Sequence, residues 1–486
     1  MPQKYIDLTG ARGAATREVM ERVATGWMVC LCILAAWLVG GCQTYHSQPL
    51  PDASELRLEQ ASGMRMMELL VTEIKHPILL PVRLDPNEGL TPEAAGVLAV
   101  LLNPSLRAVR DQRALADAQL LQAGLLPNPE LSYDFEAPTG GDTEGTVNGF
   151  GLGLSWNIAS LVARSATVQA AKAHGSAVEA DIAWQEWQMA QAAKTAVYAL
   201  VSLQARMALQ EQARQHLDRN AELVRKAVAN GTLTAKDLSA AESASRQAYA
   251  ALLDLKKQAE QQRLQLNRLL GLSPESVLRL SNKIELPASF KLPAPERLLM
   301  DIEQRRLDLL ALRHGYDNQE AAVRAAILDQ FPRITIGPTV GRDVENVNIA
   351  GFGIGINVPI FNRNQGHIAI EQATRQKLYD EYVNRLFETR SDVAILLSRI
   401  RFLNEEIAAT EQAQAELTKL EESYRTALTA GRVDILTYYA AWNDMADSRM
   451  KVLTLKEQLA EAVVALELAT GLYQIPKPTE GKEAQP

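Results

Sequence analysis

The chain has 486 residues, 47% hydrophobic and 22% charged, ordinary globular usage that excludes both wholesale disorder and a chain of many apolar membrane spans. Its formal charge of −8 argues against nucleic acid or any other polyanion as partner. Aromatic residues make up only 5%, and the abundance of Ala, Leu, Gln and Glu favours long helices over compact mixed folds. Three cysteines cannot form a disulfide framework.

Arg12, Arg17 and Arg22 precede an apolar run over residues 27–39. The run is too short to span a bilayer comfortably and has the length of a secretory signal core. Met20 is an alternative start ahead of the same run. Val39-Gly40-Gly41-Cys42 resembles the bacterial lipobox. That resemblance implies a signal peptide over 1–41, with Cys42 acylated as the new N-terminus and two hydrophobic anchors on it, as stable attachment requires. Cys30 and Cys32 leave with the signal, and the mature formal charge becomes −9. Gln43 in place of Asp, by resemblance to bacterial lipoproteins, permits sorting to the outer membrane. Pro49, Pro51, Pro77, Pro81 and Pro86 make residues 42–90 an extended segment from the lipid anchor.

Beyond it one unit is written twice, which has to be recognised before any element is assigned. Leu106-Arg107-Ala108-Val109-Arg110 matches Leu309-Leu310-Ala311-Leu312-Arg313 at an offset of 203. Phe150-Gly151-Leu152-Gly153-Leu154 matches Phe352-Gly353-Ile354-Gly355-Ile356 at 202, and Gly231 and Gly271-Leu272 match Gly431 and Gly471-Leu472 at 200. The copies occupy 91–290 and 291–475, followed by a polar tail, 476–486, read as disordered. Each copy reads as helix, β-hairpin, very long helix, tight turn and return helix. In the first, a leading helix covers about 92–126, strands fall near 130–137 and 147–158, and a helix of ~68 residues, ~100 Å long, runs to the break at Gly231. Thr234 is placed to cap the return helix. In the second copy Val393, Leu396, Leu397, Ile400, Leu403 and Ile407, and Val452, Leu455, Leu459, Val463 and Leu466, form narrow apolar seams, so the helices are expected to pair as coiled-coil hairpins.

The strands alternate. Leu131, Tyr133 and Phe135 share one face against Glu130, Ser132, Asp134 and Glu136. Phe150, Leu152, Leu154, Trp156 and Ile158, then Ile334, Ile336 and Val340, then Phe352, Ile354, Ile356, Val358 and Ile360 continue the apolar set. This length and alternation suit barrel strands with lipid outside and a watery lumen inside. The lumen face would carry Glu130, Asp134 and Glu136; Leu131, Tyr133, Phe135, Phe150, Leu152, Leu154, Trp156, Phe352, Ile354 and Ile356 would face lipid. Four strands cannot close a barrel and open edges cannot sit in lipid. Three copies, giving twelve strands, form the smallest assembly with an aqueous opening.

Asn103-Pro104-Ser105-Leu106, Leu125-Leu126-Pro127-Asn128-Pro129, Leu266-Asn267-Arg268-Leu269-Leu270-Gly271 and Phe361-Asn362-Arg363, together with the signal, lipobox and duplication, resemble the TolC family of outer-membrane efflux proteins across residues 90–475. The resemblance implies a mainly α fold with membrane β: a homotrimer whose twelve-stranded barrel in the outer membrane continues as a helical barrel into the periplasm. It implies docking of the helix tips, here Gly231, Thr232, Leu233, Gly431, Arg432 and Val433, on a membrane-fusion adaptor and an inner-membrane pump of the resistance-nodulation-division class. The family's gate often carries aspartates six and nine residues after the second tip glycine, where this chain has Thr437 and Ala440. Asp237 and Asp434 are the remaining candidates for gate acids, against a simpler role as helix-capping acids.

Enzyme chemistry finds no constellation. His46, His76, His174, His216, His314 and His367 lack the spacing of helical metal ligands, so neither a cofactor nor a metal is expected and the histidines read as surface or packing residues. Gly151-x-Gly153 and Gly351-x-Gly353-x-Gly355 lie within strands rather than nucleotide loops. Asp254 with Lys257 and Asp447 with Lys451 read as helix-surface pairs. The expected function is a passive exit duct for drugs or metal ions; the competing readings are a lipid-anchored periplasmic coiled-coil scaffold and a channel of type I protein secretion.

Overall fold

The computed structural model describes residues 44–52, 78, 79 and 88–472. The signal segment, Cys42, most of the segment to residue 90 and the tail over 476–486 lie outside the described residues. Residues 44–52 fall in a unit separate from the rest, carry no helix or strand and are exposed. All that follows concerns the second unit, Glu59–Pro486.

The first copy comprises α1 (Pro92–Leu102), α2 (Pro104–Gly124), β1 (Glu130–Glu136), β2 (Gly149–Asn157), α3 (Ser160–Ala229) and α4 (Ala235–Leu269). The second comprises α5 (Pro295–Leu299), α6 (Ile302–Arg305), α7 (Leu307–Leu328), β3 (Arg333–Arg342), β4 (Asn348–Asn357), α8 (Gln365–Thr429) and α9 (Ile435–Thr470). With 70 residues, α3 is ~105 Å long. It lies against α4, α7 and α9, and α8 pairs with α9. In that pair Val393, Ile400, Leu403 and Ile407 meet Leu455, Leu459 and Leu466 in one buried cluster, with Leu396, Leu397 and Val463 half-buried at its margin. The seam read from the sequence is therefore the packing seam. In the first copy Ala190, Ala193 and Ala196 of α3 leave room for α1, and Leu79, Leu90 and Leu280 close the same core. Leu90 and Leu280 also form a parallel bridge.

The leading helix is not continuous. A single helix over about 92–126 was the expectation, but it is divided at Asn103. Pro104 lacks an N–H and disfavours helical geometry at the preceding residue, and Asn103 is extended at φ −62°, ψ 121°. Its Oδ1 accepts the Ser105 N–H at 2.9 Å, and its Nδ2 donates to the Leu269 carbonyl at 2.9 Å, so the break ties the leading helix to the end of the return helix. In the second copy the counterpart of α1 is itself broken into α5 and α6, with Asp301 left-handed at φ 52° between them.

Arg306 stands where Asn103 stands in the first copy and does equivalent work with a charge. It donates to the Ala469 carbonyl at 3.1 Å, the position matching Leu269. Its Nε and Nη2 grip the two oxygens of Asp308, each at 2.8 Å, and its guanidinium lies 5.1 Å from the Trp184 ring centre. Both charged residues are buried, at 5% and 8% exposure. Further ion pairs join the copies along α3 and α9: Lys194 to Glu467 at 2.6 Å and Arg206 to Glu457 at 3.1 Å.

Two surface pairs differ from expectation. Lys451 pairs across to Glu406 of α8 at 3.1 Å rather than with Asp447, because the neighbouring helix offers a carboxylate within reach. Asp254 accepts from Gln258 at 2.6 Å, one turn on, and not from Lys257.

Removing the Arg306 side chain leaves a buried carboxylate and a helix-end carbonyl without their donor. Arg306→Ala is expected to cost about 3–5 kcal/mol in denaturant unfolding, and Arg306→Lys, which keeps charge but loses the fork, an intermediate amount.

Candidate conducting surface and helix tips

The strands form one antiparallel sheet in the order β1-β2-β3-β4, so hairpins from both copies join at β2–β3. Register decides what shares a face. Leu131 lies opposite Leu154, Tyr133 opposite Leu152 and Phe135 opposite Phe150; Leu152 is opposite Val340 and Trp156 opposite Ile336; Ile334 meets Ile356, Ile336 meets Ile354 and Pro338 meets Phe352. Within the strands the apolar sets from the alternation thus fall on one surface; Ile158, Val358 and Ile360, expected to continue them, lie beyond the ends of β2 at Asn157 and β4 at Asn357. That surface is bare: Leu131 is 74% exposed, Phe352 64% and Ile354 65%. Trp156 is half-buried, its indole N–H donating to the Pro127 carbonyl at 2.9 Å. A contiguous apolar surface of this kind marks a contact with lipid or protein.

The opposite surface carries Glu130, Ser132, Asp134 and Glu136 on β1, facing Ser155, Gly153, Gly151 and Gly149 on β2. Thr335, Gly337 and Thr339 on β3 face Gly355, Gly353 and Gly351 on β4. Among the described strand residues, Arg333 is the basic residue on this side. Arg342 falls on the apolar side, 5.6 Å from the Phe150 ring centre. At the junction of the copies a Cβ on Gly337 would lie 1.6 Å from the Leu154 carbonyl oxygen, so only glycine fits there. Pro338 next to it has no N–H to give, and the β2–β3 register passes from Gly153–Thr339 to Trp156–Ile336 with no pair between. The outer edges of β1 and β4 are open.

At the far end of the helices, Gly231 and Gly431 adopt φ +78° and +66°, the left-handed region that glycine enters without a Cβ penalty. Thr232 and Arg432 then donate their N–H groups back to the Ala227 and Ala427 carbonyls, both at 2.9 Å. Gly231, Thr232, Gly431 and Arg432 are exposed and Val433 half-buried. Leu233 packs with Val228, Leu238 and Ile435 on a small core of Ala221, Val224 and Ala241, which joins the two turns.

Both candidate gate acids are helix caps. Thr234 accepts the Asp237 N–H at 3.3 Å, while Asp237 Oδ2 accepts from the Thr234 N–H at 2.9 Å and hydroxyl at 2.7 Å. In the second copy the two residue types are exchanged. Asp434 caps α9 by accepting the Thr437 N–H at 3.0 Å, and the Thr437 hydroxyl donates to it at 2.8 Å. The Thr234 hydroxyl and N–H hold Asp237 below the usual aspartate range; the Thr437 N–H and hydroxyl do the same for Asp434. The threonine at 437 is thus one half of a cap whose other half sits at 434.

Above the tips His216 of α3 meets three aromatic side chains of α9: Trp442 at 4.5 Å between ring centres, Tyr439 at 5.5 Å and Tyr438 at 6.1 Å. The Tyr438 hydroxyl donates to Glu421 at 3.1 Å, and burial, followed by that bond, pushes it up to about 12. Burial and Arg219 lower the pKa of His216. Of the two roles open to it in the sequence, surface or packing, His216 takes the packing one, in a cluster that histidine spacing does not reveal. Tyr438-Tyr439-x-x-Trp442 was its local signal, in a chain otherwise poor in aromatics. No group of three or more potential metal ligands occurs among the described residues, and no described helix is long and apolar enough to cross a membrane.

The model of a family described as outer membrane efflux protein matches residues 97–272 and 298–472, one segment in each copy. The chain belongs to the outer membrane efflux protein family. It is 27% identical over 390 residues, 79% of this chain and 90% of the relative, to the cobalt-zinc-cadmium resistance protein CzcC of Cupriavidus metallidurans. To the cation efflux system protein CusC of Escherichia coli O6:H1 it is 28% identical over 196 residues, 38% of this chain and 41% of that protein. The crystal structure of the outer membrane protein VceC of Vibrio cholerae superposes with a TM-score of 0.66 at 19% identity, covering 78% of this chain and 96% of that one. The efflux-family fold accounts for the repeated arrangement of hairpin and long paired helices.

The caps titrate with a defined sign. Because the folded-state pKa values of Asp237 and Asp434 are depressed, their contribution is full above the ordinary aspartate value and is lost as pH falls through the lower folded values. Hydrogen exchange at the Thr234 and Thr437 amides, which donate to the Asp237 and Asp434 carboxylates, is expected to accelerate, beyond its intrinsic pH dependence, only in that acidic window. Asp434→Asn, which retains an N-cap acceptor, should flatten the response at Thr437.

Proposed function

We propose that this chain is the outer-membrane exit duct of an efflux system, three copies closing their sheets into a twelve-stranded barrel that conducts metal cations. The observation that carries the reading is the sheet with a bare apolar face and two open edges. Edge closure between copies satisfies the backbone of β1 and β4, which lipid cannot do, and places Leu131, Tyr133, Phe135, Phe150, Leu152, Leu154, Trp156, Phe352, Ile354 and Ile356 against hydrocarbon. The helices support the same closure. Ile370, Phe387, Ile395 and Phe402 along α8, and Tyr249 and Leu253 on α4, are exposed and offer apolar stripes for a second copy. In this arrangement Cys42 carries the lipid anchor, and the tips at Gly231, Thr232, Leu233, Gly431, Arg432 and Val433 receive a membrane-fusion adaptor joined to an inner-membrane pump of the resistance-nodulation-division class.

The cation assignment rests on charge and kinship. Glu130, Asp134 and Glu136 line the polar face against Arg333, and threefold repetition multiplies that excess inside a low-dielectric wall. The relatives are named for cobalt, zinc and cadmium resistance and for cation efflux. Asp237 and Asp434 add ionised carboxylates at the tips while serving as caps.

Reconstituted in planar bilayers, the protein should give discrete conductance steps favouring potassium over chloride. Glu130→Gln with Asp134→Asn and Glu136→Gln should lower that permeability ratio by about twofold or more while leaving step size nearly unchanged. A protein that yields no discrete steps, as a periplasmic scaffold would, refutes the duct; steps whose ion preference ignores the triple substitution refute the role given to β1.

A further inference from the structure

A pocket of about 240 Å³ opens between α3 and α9, bordered by Gln212, His216, Arg219, Trp442, Met445 and Arg449. No carboxylate lines it, although acids are abundant nearby. Five of the acids on α3, α8 and α9 are engaged elsewhere. Glu211 and Asp218 are both held by Arg214, at 2.8 and 2.6 Å; Glu421 accepts from Tyr438; Glu411 is paired with Lys456 at 2.7 Å; Glu457 is paired with Arg206. Arg219 and Arg449 are left facing one cavity with no ion pair or hydrogen bond among the described residues, in a chain where acids outnumber bases 58 to 50.

Two guanidiniums on one small cavity repel unless an anion lies between them. Each presents a planar fork that matches a carboxylate or phosphate in two-point contact. The lining is mainly polar, with Gln212, Gln215 and His216 beside the two guanidiniums, and Trp442 and Met445 at its border are buried. Arg449 is half-buried while Arg219 is exposed, so an anion between them would be reached from solvent and shielded on the Arg449 side, where charge-assisted hydrogen bonds are worth more.

We propose that this pocket binds an oxyanion, carboxylate or phosphate, bridging Arg219 of α3 to Arg449 of α9. The site is built from residues of a single chain, with one helix from each copy. Counting at 1.5 Å per residue, it is ~20–30 Å above the turns at Gly231 and Gly431. Occupancy would clamp the long helix of the first copy to the return helix of the second. The ligand can be a free small anion or an acidic side chain on a docking protein, and the two differ in what competes for the site.

The test is calorimetric titration of the detergent-solubilised full chain with inorganic phosphate and, separately, with a glutamate-rich peptide, at ionic strength fixed by chloride. Saturable binding of at least one probe is expected. Combined Arg219→Gln and Arg449→Gln should weaken it at least tenfold, and the paired lysine substitutions less. Arg225→Gln, which removes a guanidinium paired with Glu222 and Glu242 near the tips, should leave it unchanged. Phosphate binding identifies a free anion as ligand; peptide binding that phosphate does not displace identifies a protein carboxylate. No saturable binding of either probe overturns the proposal, as does equal loss in the Arg225→Gln control. An unfolding midpoint unchanged in the glutamine variants separates loss of the site from loss of the fold.

Discussion

A four-stranded sheet with apolar side chains on one face, acids and glycines on the other, and two unpaired edges has no stable place in water or in lipid by itself. Its greasy face needs hydrocarbon or protein, and its edges need backbone partners that hydrocarbon lacks. Among the described residues no layer covers that face: the long helices leave from the ends of the strands, and the apolar side chains stay exposed. In the proposed duct copies of the sheet complete one another, and the exposed apolar residues on α8 and α4 offer further surface for that association. The efflux family to which the chain belongs is built on this constraint.

Duplication supplied the parts, and drift shows which interactions had to be kept. Where the leading helix meets the end of the return helix, one copy uses the amide of Asn103 and the other the guanidinium of Arg306. The residues share no chemistry beyond N–H donation, yet they hold matching carbonyls, Leu269 and Ala469. At the tips the cap survives with its two halves exchanged, Thr234 with Asp237 in one copy and Asp434 with Thr437 in the other. What is retained is a hydrogen-bonded joint at a fixed place, and the residue type at either end of it is free to vary.

This explains what could and could not be seen in the sequence. Strand alternation, the seam through Val393, Ile400 and Leu459, the turns at Gly231 and Gly431 and the cap at Thr234 are local patterns, and each side chain's face follows from its spacing alone. The break at Asn103 had a local cue in Pro104, but the cue was outweighed by helical composition on both sides. The ion pair of Lys194 with Glu467 joins residues 273 apart, and no periodicity within either helix encodes a partner on another. The same holds for His216 against Tyr438 and Trp442, and for the two guanidiniums left unpaired beside them. Recognising the duplication aligned the copies without revealing which helix of one would lie against which helix of the other.

The seam at Gly337 and Pro338 bears on how such a chain reaches its final state. Pairing within each hairpin is local and quick, whereas Trp156 can find Ile336 only after α3, α4 and the linker beyond them have been made and folded back. Contacts that close so long a loop form late, and here the last ones to form are also poor in backbone bonds. The first hairpin is therefore synthesised well before its neighbour exists, and until then the edge of β2 that will meet β3 is an unpaired backbone template.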